Sequence, residues 1–292
     1  MRVRALPAET LPSLGCCEWR DPSRRIHVCG GTAYVPVREG HSFDLQLPER
    51  APYRGRGYQR LGDLLLIHGE MPSEADLHTL AAWERPRGIL WIRGIEGEMR
   101  TPQAEVLWGE CGEVSVTEHG CHYILDPTRV MFACGNREER HRMASFVRQS
   151  GREERVADMC AGIGYFTIPM ALAGARVHAM ELSPAAFFYL QQNIRRNHVD
   201  HRVQAAQGDC RELLEGVYDR FVIGHFNSPR FLSCAMAHAE RGSVLHLHIS
   251  RDARAEVVKV LEEHGFAFEI AERRVKKYSP GCWHRVLDVM LR

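Results

Sequence analysis

The chain has 292 residues, of which 45% are hydrophobic and 26% charged, and a formal net charge of +1. That length suits one large domain or two ordinary ones, two being expected, and the composition is that of a globular protein. No apolar run approaches the roughly 20 residues that span a bilayer, and Met1-Arg-Val-Arg-Ala-Leu-Pro7 has no signal-peptide core, so a cytoplasmic protein is the default expectation.

Lys259, Lys276 and Lys277 are the only lysines, so arginine supplies 35 of the 38 cations. Genomic base composition explains this bias; so would phosphate contact, where the guanidinium fork outperforms an ammonium. A net charge of +1 does not itself argue for nucleic acid, and a local patch would have to. The ten cysteines form no Cys-x-x-Cys pair, which leaves a zinc site unsupported and predicts reduced, mostly buried thiols without disulfides.

Residues 1–60 carry little pattern beyond short strands at 26–28 and 33–37. Arg54-Gly-Arg56-Gly-Tyr-Gln-Arg60 has the composition of an RNA-binding tract and equally of a solvated loop. Gly62-Asp-Leu-Leu-Leu-Ile-His68 reads as a buried strand. Ser73 then caps a helix with Asp76 at its third position and an apolar face of Leu77, Leu80 and Ala81, ended by Pro86. A strand follows at 88–92, and strands at 113–117 and 121–125 flank a Glu118-His-Gly120 hairpin turn. The segment 1–126 is therefore expected to be a small α+β domain with no catalytic motif of its own.

From Asp126 a charged stretch leads into a helix ending near Gln149, with Asn136 as its cap and Glu139 completing a capping box. Its dense charge fits a solvated face. The sharper alternative is a loop closing over a ligand with Arg140 pointing inward.

Beyond 150 the alternation is regular. Strands are expected at 155–159, 176–182, 203–208, 218–226 and 243–249, and helices at 165–172, 185–197, 231–240 and 253–263. Two closing strands, 266–275 and 283–291, have no helix between them and must pair antiparallel or occupy separate places in the sheet. The expected fold over 127–292 is thus α/β: a Rossmann-like, class I S-adenosylmethionine-dependent methyltransferase domain, mostly parallel with an antiparallel terminal pair. That finish disfavours a nicotinamide dehydrogenase.

Within this pattern, Arg155-Val-Ala-Asp158-Met-Cys-Ala161-Gly162-Ile-Gly164 is a strand ending on an acid and a glycine turn that lets backbone approach a ligand. Glu181, 23 positions after Asp158, is placed for ribose hydroxyls, and Asp209 for an adenine amine. A lone acid at a strand end is usually just solvated, but three at successive strand ends converge on the crevice where open α/β sheets bind ligands. His225, at the end of the fourth strand, is a general base, a substrate holder or a packed strand-end histidine. His246 and His248 face one way, yet no carboxylate or cysteine spacing supports a metal.

These motifs together resemble one family. Asp158-Met-Cys-Ala-Gly-Ile-Gly-Tyr-Phe166 is similar to the DMFAGIGYF signature of the Trm-five and wybutosine-synthesising-protein-two superfamily, which acts on guanosine 37 of tRNA. Arg129-Val-Met-Phe-Ala-Cys-Gly-Asn-Arg-Glu-Glu-Arg140 resembles its MFSPxNxxER segment, and Tyr278-Ser-Pro-Gly-Cys-Trp-His284 with Asp288 its terminal YxPGxWHxxxD. Gly224-His225-Phe226 with Phe231-Leu232 resembles the archaeal aminocarboxypropyltransferase branch rather than the N1-guanosine methyltransferases, which carry Asn-Leu-Pro or Asn-Pro-Pro there.

The resemblance implies transfer of the 3-amino-3-carboxypropyl group of S-adenosyl-L-methionine, as co-substrate, to C7 of 4-demethylwyosine at position 37 of tRNA(Phe), with release of methylthioadenosine. It also implies a monomer that grips the anticodon stem-loop, with no protein partner and no membrane. The nearest alternative is N1 methylation of guanine 37, and a remoter one a non-catalytic module binding cofactor and RNA. Family contacts carry over to Arg140, Glu181, Asp209 and Cys210. With Ala133, Asp158, Ala161, Gly162 and Gly164 these complete the candidate cofactor-binding set. Ala133 stands where the family has serine, which leaves backbone to make that contact, and Cys160 replaces a phenylalanine. No residue is assigned as catalyst.

Overall fold

The computed structural model describes residues 1–15, 17–47, 55–249, 253–279 and 282–292, which leaves Cys16, Arg54, Pro280 and Gly281 outside the described residues. It divides into two compact units, Met1–Arg54 and Gly55–Arg292, so the boundary expected at 126 falls inside the second. The first unit holds β1 (Arg2–Pro7), β2 (His27–Cys29), β3 (Thr32–Pro36) and β4 (Leu45–Gln46) in the order β2-β3-β1-β4. Val3, Ala33 and Val35 are its fully buried apolar residues, and Arg4 stacks its guanidinium 4.4 Å over Trp19.

The second unit begins with β5 (Gln59–Leu61), β6 (Leu64–His68), α1 (Glu74–Glu84), β7 (Gly88–Glu96) and β8 (Thr101–Gly109), strands in sequential order. Ser73 caps α1 as expected, and the Asp76 side chain reaches back to complete a capping box. β8 has no counterpart among the expected strands because, Pro102 apart, its residues are half-buried or exposed and no clean alternation marks it. The hairpin β9 (Val114–Glu118) and β10 (Cys121–Leu125) turns through His119 and Gly120, both with positive φ, which matches the right-handed twist of its strands.

Next come α2 (Arg137–Gln149), β11 (Arg155–Asp158), α3 (Thr167–Leu172), β12 (Arg176–Glu181), α4 (Pro184–Arg196), β13 (Val203–Gln207), α5 (Cys210–Leu213), β14 (Arg220–Ile223), α6 (Pro229–Met236), β15 (Val244–Ile249), α7 (Arg254–Glu263), β16 (Phe268–Ser279) and β17 (Cys282–Leu291). The seven strands order as β13-β12-β11-β14-β15-β17-β16, parallel except for β17, which runs antiparallel to both its neighbours. Period two sends Val156, Val177 and Val222 to the face under α2, α3, α4 and the β9–β10 hairpin, and Ala157, Phe221, Leu245 and Leu247 to the face under α6 and α7. Strand order reverses between β11 and β14, so the ligand crevice of an open α/β sheet opens at their C-terminal ends. Among the described residues no helix is long and apolar enough to cross a membrane.

Two expectations are corrected. Asn136 precedes α2 but makes no side-chain cap, and its Oδ1 is buried without a partner, because Glu139 turns to Arg142 and Arg273 instead of closing the box. The thiols are not mostly buried: of the cysteines whose exposure is described only Cys121 and Cys210 are.

The free edge of β10 is completed by side chains. Asn193 on α4 and Asn197, its C-terminal cap, act as a surrogate strand: Asn193 accepts from Ile124 N (2.7 Å) and donates to Ile124 O (3.2 Å), and Asn197 does the same with His122 (2.8 and 2.6 Å). Asn193 Nδ2 also donates to Ile163 O in the glycine turn at 2.9 Å. Asn193→Leu would strand buried backbone groups at Ile124 and Ile163, so urea denaturation should register a loss of about 2–4 kcal/mol.

Candidate functional site

A cavity of about 820 Å³ opens at the C-terminal ends of the parallel strands. Its floor is the turn after β11, where Gly162 (φ +60°) and Gly164 (φ +99°) are left-handed. A Cβ on Gly162 would lie 2.8 Å from the Tyr165 ring, and one on Gly164 2.9 Å from Ile168. The first glycine therefore lets bare backbone face the cavity, and the second lets α3 pack against α4. Tyr165 buttresses the turn: its hydroxyl donates to Met131 O, and its ring lies against Phe132.

Glu181, at the end of β12, reaches back to the turn. One carboxylate oxygen accepts from Gly162 N (2.7 Å) and the other from Ser183 N (2.8 Å). Burial pushes its carboxyl above the usual range against these bonds, so further donors from a bound ligand would stabilise the charged form. Asp209, after β13, caps α5 and pairs with Arg211, which holds its carboxyl below the usual range.

Five residues of the expected cofactor set line this cavity: Ala133, Gly162, Glu181, Asp209 and Cys210. The other four stand behind its wall. Arg140 is 3% exposed; it donates to Ala133 O (3.0 Å) and Glu118, and its guanidinium lies over the Phe132 and Tyr165 rings. The inward-pointing Arg140 is thus corrected to one that grips the cavity-lining segment from outside. Asp158 is fully buried, accepting from Thr167 Oγ1 at 2.7 Å, and burial pushes its carboxyl up to about 7. It clamps the turn to α3 rather than opening on the crevice. Ala161 is fully buried, bonding Met180 O through its backbone.

The arginine tract has internal partners as well, Arg56 donating to His68 O and Arg60 pairing with Glu84. His225 lines the cavity, and its Nδ1 accepts from Asn227 N at 3.1 Å. Its neutral ring therefore carries hydrogen on Nε2 and offers a donor, not the lone pair of a general base. Burial, with Arg100 and Arg230 nearby, keeps it neutral by lowering its pKa.

The expected common orientation of His246 and His248 holds, but they have different neighbours. His246 bonds Asp288 and Arg220 and stacks on Phe146, while His248 sits 2.9 Å from His284. Among the described residues no His, Cys, Asp and Glu group is arranged to hold a metal ion. Sequence reading singled out neither His284 nor Lys276 for this cavity, which both line. The signal that was available is polarity: strands β15 and β17 place His246, His248, His284 and Asp288 on one sheet face, at positions that are ordinarily apolar.

Residues 114–276 match the family model described as the TRM5/TYW2 methyltransferase domain. The chain is 34% identical over 246 residues to the tRNA(Phe) (4-demethylwyosine(37)-C(7)) aminocarboxypropyltransferase of Methanocaldococcus jannaschii, an alignment spanning 80% of this chain and 97% of that protein. Among solved structures it resembles M. jannaschii TYW2 in complex with AdoMet (28% identity, TM-score 0.64, 81% of this chain and 99% of that one). It also resembles P. horikoshii TYW2 in complex with MeSAdo (29% identity, TM-score 0.69, 80% of this chain and 90% of that one).

The raised Asp158 carboxyl sets a pH dependence. Folding favours its protonated form, so the stabilisation is complete below the unfolded value of 3.8 and is lost as pH rises through about 7. Denaturant titrations from pH 4 to 8 should show Asp158→Asn gaining on the wild type by on the order of 2–4 kcal/mol, at about 1.4 kcal/mol per pKa unit.

Proposed function

The chain belongs to the TRM5/TYW2 methyltransferase-domain family, and from that membership we propose that it transfers the 3-amino-3-carboxypropyl group of S-adenosylmethionine to C7 of 4-demethylwyosine at position 37 of tRNA(Phe). The observation that carries the choice of reaction is the end of β14, where Gly224 presents no side-chain amide and His225 a single N–H. All three carbons on a sulfonium are electrophilic, so the product depends on which one the protein aims at the nucleophile. Without an amide at this position the methionine tail is not tied back, and it can swing toward the base.

The cavity suits the co-substrate. The half-buried Glu181 carboxylate has acceptor capacity left for two ribose hydroxyls, the Gly162 backbone permits close approach, and Asp209 would accept from the adenine amine. When bound, S-adenosylmethionine supplies an activated carbon chain. The protein binds and orients it, and the Phe132, Phe166 and Phe226 side chains, which also line the cavity, exclude water. Lys276, Arg100 and Arg230 bring positive charge to the same cavity, suited to the phosphates of an RNA. Residues 1–126 orient the anticodon stem-loop, the target base is turned out of its stack, and the protein acts as a monomer.

Mass spectrometry of a mixture of protein, S-adenosylmethionine and precursor tRNA should find methylthioadenosine. S-adenosylhomocysteine as the sole nucleoside product would move the chain to guanine-37 methylation instead. In calorimetry, Glu181→Ala should weaken S-adenosylmethionine binding by about 1–3 kcal/mol, the scale of hydrogen bonds to a charged group; unchanged affinity would remove Glu181 from the binding set.

A further inference from the structure

The antiparallel register between β15 and β17 pairs His246 with Asp288 and His248 with Val286, which brings His284 diagonally beside His248 on the same face. His248 Nδ1 and His284 Nε2 lie 2.9 Å apart. Both rings are buried, at 1% and 0% exposure, and both line the cavity. Their outer nitrogens, His248 Nε2 and His284 Nδ1, are buried without a hydrogen-bond partner among the described residues. A buried polar atom left unpartnered costs stability, and two at the ends of one hydrogen-bonded pair mark a site built for something else to meet.

We propose that the His248–His284 pair is the proton acceptor of the transfer reaction, taking the hydrogen that the target ring carbon loses; this rests on the function proposed above. The single hydrogen shared between the rings sits on His248 Nδ1 or on His284 Nε2. In either case one outer nitrogen carries a lone pair and the other an N–H. A proton gained at one end of the pair can therefore be matched by release at the other.

The step balances. The π electrons of the ring carbon form a C–C bond to the aminocarboxypropyl carbon attached to sulfur. The C–S bond breaks with its pair going to sulfur, which turns the sulfonium into the neutral thioether of methylthioadenosine. The ring, now cationic, restores its aromaticity by giving the proton on that carbon to the free imidazole lone pair. Such a ring proton is strongly acidic, so a weak base suffices.

The surroundings keep that base available. Burial holds both imidazoles neutral, with Lys276 and Arg100 pushing His284 further down, to about 4; for His248 the neighbouring His284, His246 and Arg142 act in the same direction and Asp288 opposes them. Other acceptors in the cavity have other roles. Glu181 and Asp209 are committed to the ribose and adenine of the co-substrate, Glu98 pairs with Arg230, and the Tyr165 hydroxyl donates to Met131 O. His225 presents its hydrogen, and His68 is exposed.

The test compares full-length wild type, His284→Asn and His248→Gln on precursor tRNA carrying protium or deuterium at the reacting carbon. Each variant should lose about 10²–10⁴-fold in single-turnover rate, the usual contribution of a general base. Its calorimetric affinity for S-adenosylmethionine should stay within a few-fold of wild type, and a primary isotope effect should appear that the wild type lacks, because proton loss becomes limiting. In ¹⁵N-histidine spectra of the wild type, one outer nitrogen of the pair should be of lone-pair type and shift when methylthioadenosine and tRNA bind. Unchanged rates, slowed rates without an isotope effect, an unmoved nitrogen signal, or loss of cofactor binding in both variants would each assign the pair to packing and overturn the inference. Failure of the wild type to form methylthioadenosine would instead overturn the transfer reading, and this inference with it.

Discussion

A carboxylate held between two backbone amides keeps this site in shape. Glu181 bridges Gly162 N, in the turn after β11, and Ser183 N, at the start of α4, so the ends of two parallel strands are fixed to each other through one side chain. An ionised carboxylate in such a half-buried position is costly unless its lone pairs are met, and backbone donors meet only some of them. Deficit and structural role coincide: the group that shapes the turn is also left short of donors on its cavity side. From the turn the support continues outward, through Tyr165 and Phe132 to Arg140, and from Arg140 to Glu118 on the hairpin.

The opposite end of the sheet is organised by charge. Glu154 pairs with Arg220, Arg220 donates to His246, His246 bonds Asp288, and Asp288 accepts both arms of Arg142, which also holds Glu139. Burial raises the Asp288 carboxyl, but His246 and Arg142 outweigh it and hold the group well below the usual carboxylate range. Buried charges tolerate desolvation when each is met by the next, and a break anywhere would leave one uncompensated. The chain of contacts locks α2 and β17 onto the parallel core. His248 and His284 lie on the same face, so the antiparallel strand that distinguishes this sheet also assembles the paired histidines.

Several readings failed where a local pattern met a non-local competitor. Asn136 and Glu139 have capping-box spacing, but Arg142 and Arg273 offer Glu139 full charges where the cap offers one amide. Arg140 sits in a motif that suggests ligand contact, yet two aromatic rings, a carbonyl and Glu118 claim its guanidinium. Asp158 ends its strand as Glu181 does, but Thr167 and complete burial take it out of the crevice. Asn193 and Asn197 look like ordinary polar positions on α4 until β10 is seen to need an edge partner.

The sequence by itself determined whatever depends on near neighbours: alternating strands and helices, the glycine turn, an acid at the end of the second strand, a closing strand pair without a crossover helix, and a run of motifs specific enough to name a family. These are legible because φ preference, periodicity and turn chemistry act over a few residues. Only the tertiary structure decided which of the expected residues face the cavity and which stand behind it. It alone joined His248 to His284, 36 positions apart, through the register of an antiparallel pair. Register is set by how two distant strands bury their faces together, and no local signal in either strand carries it.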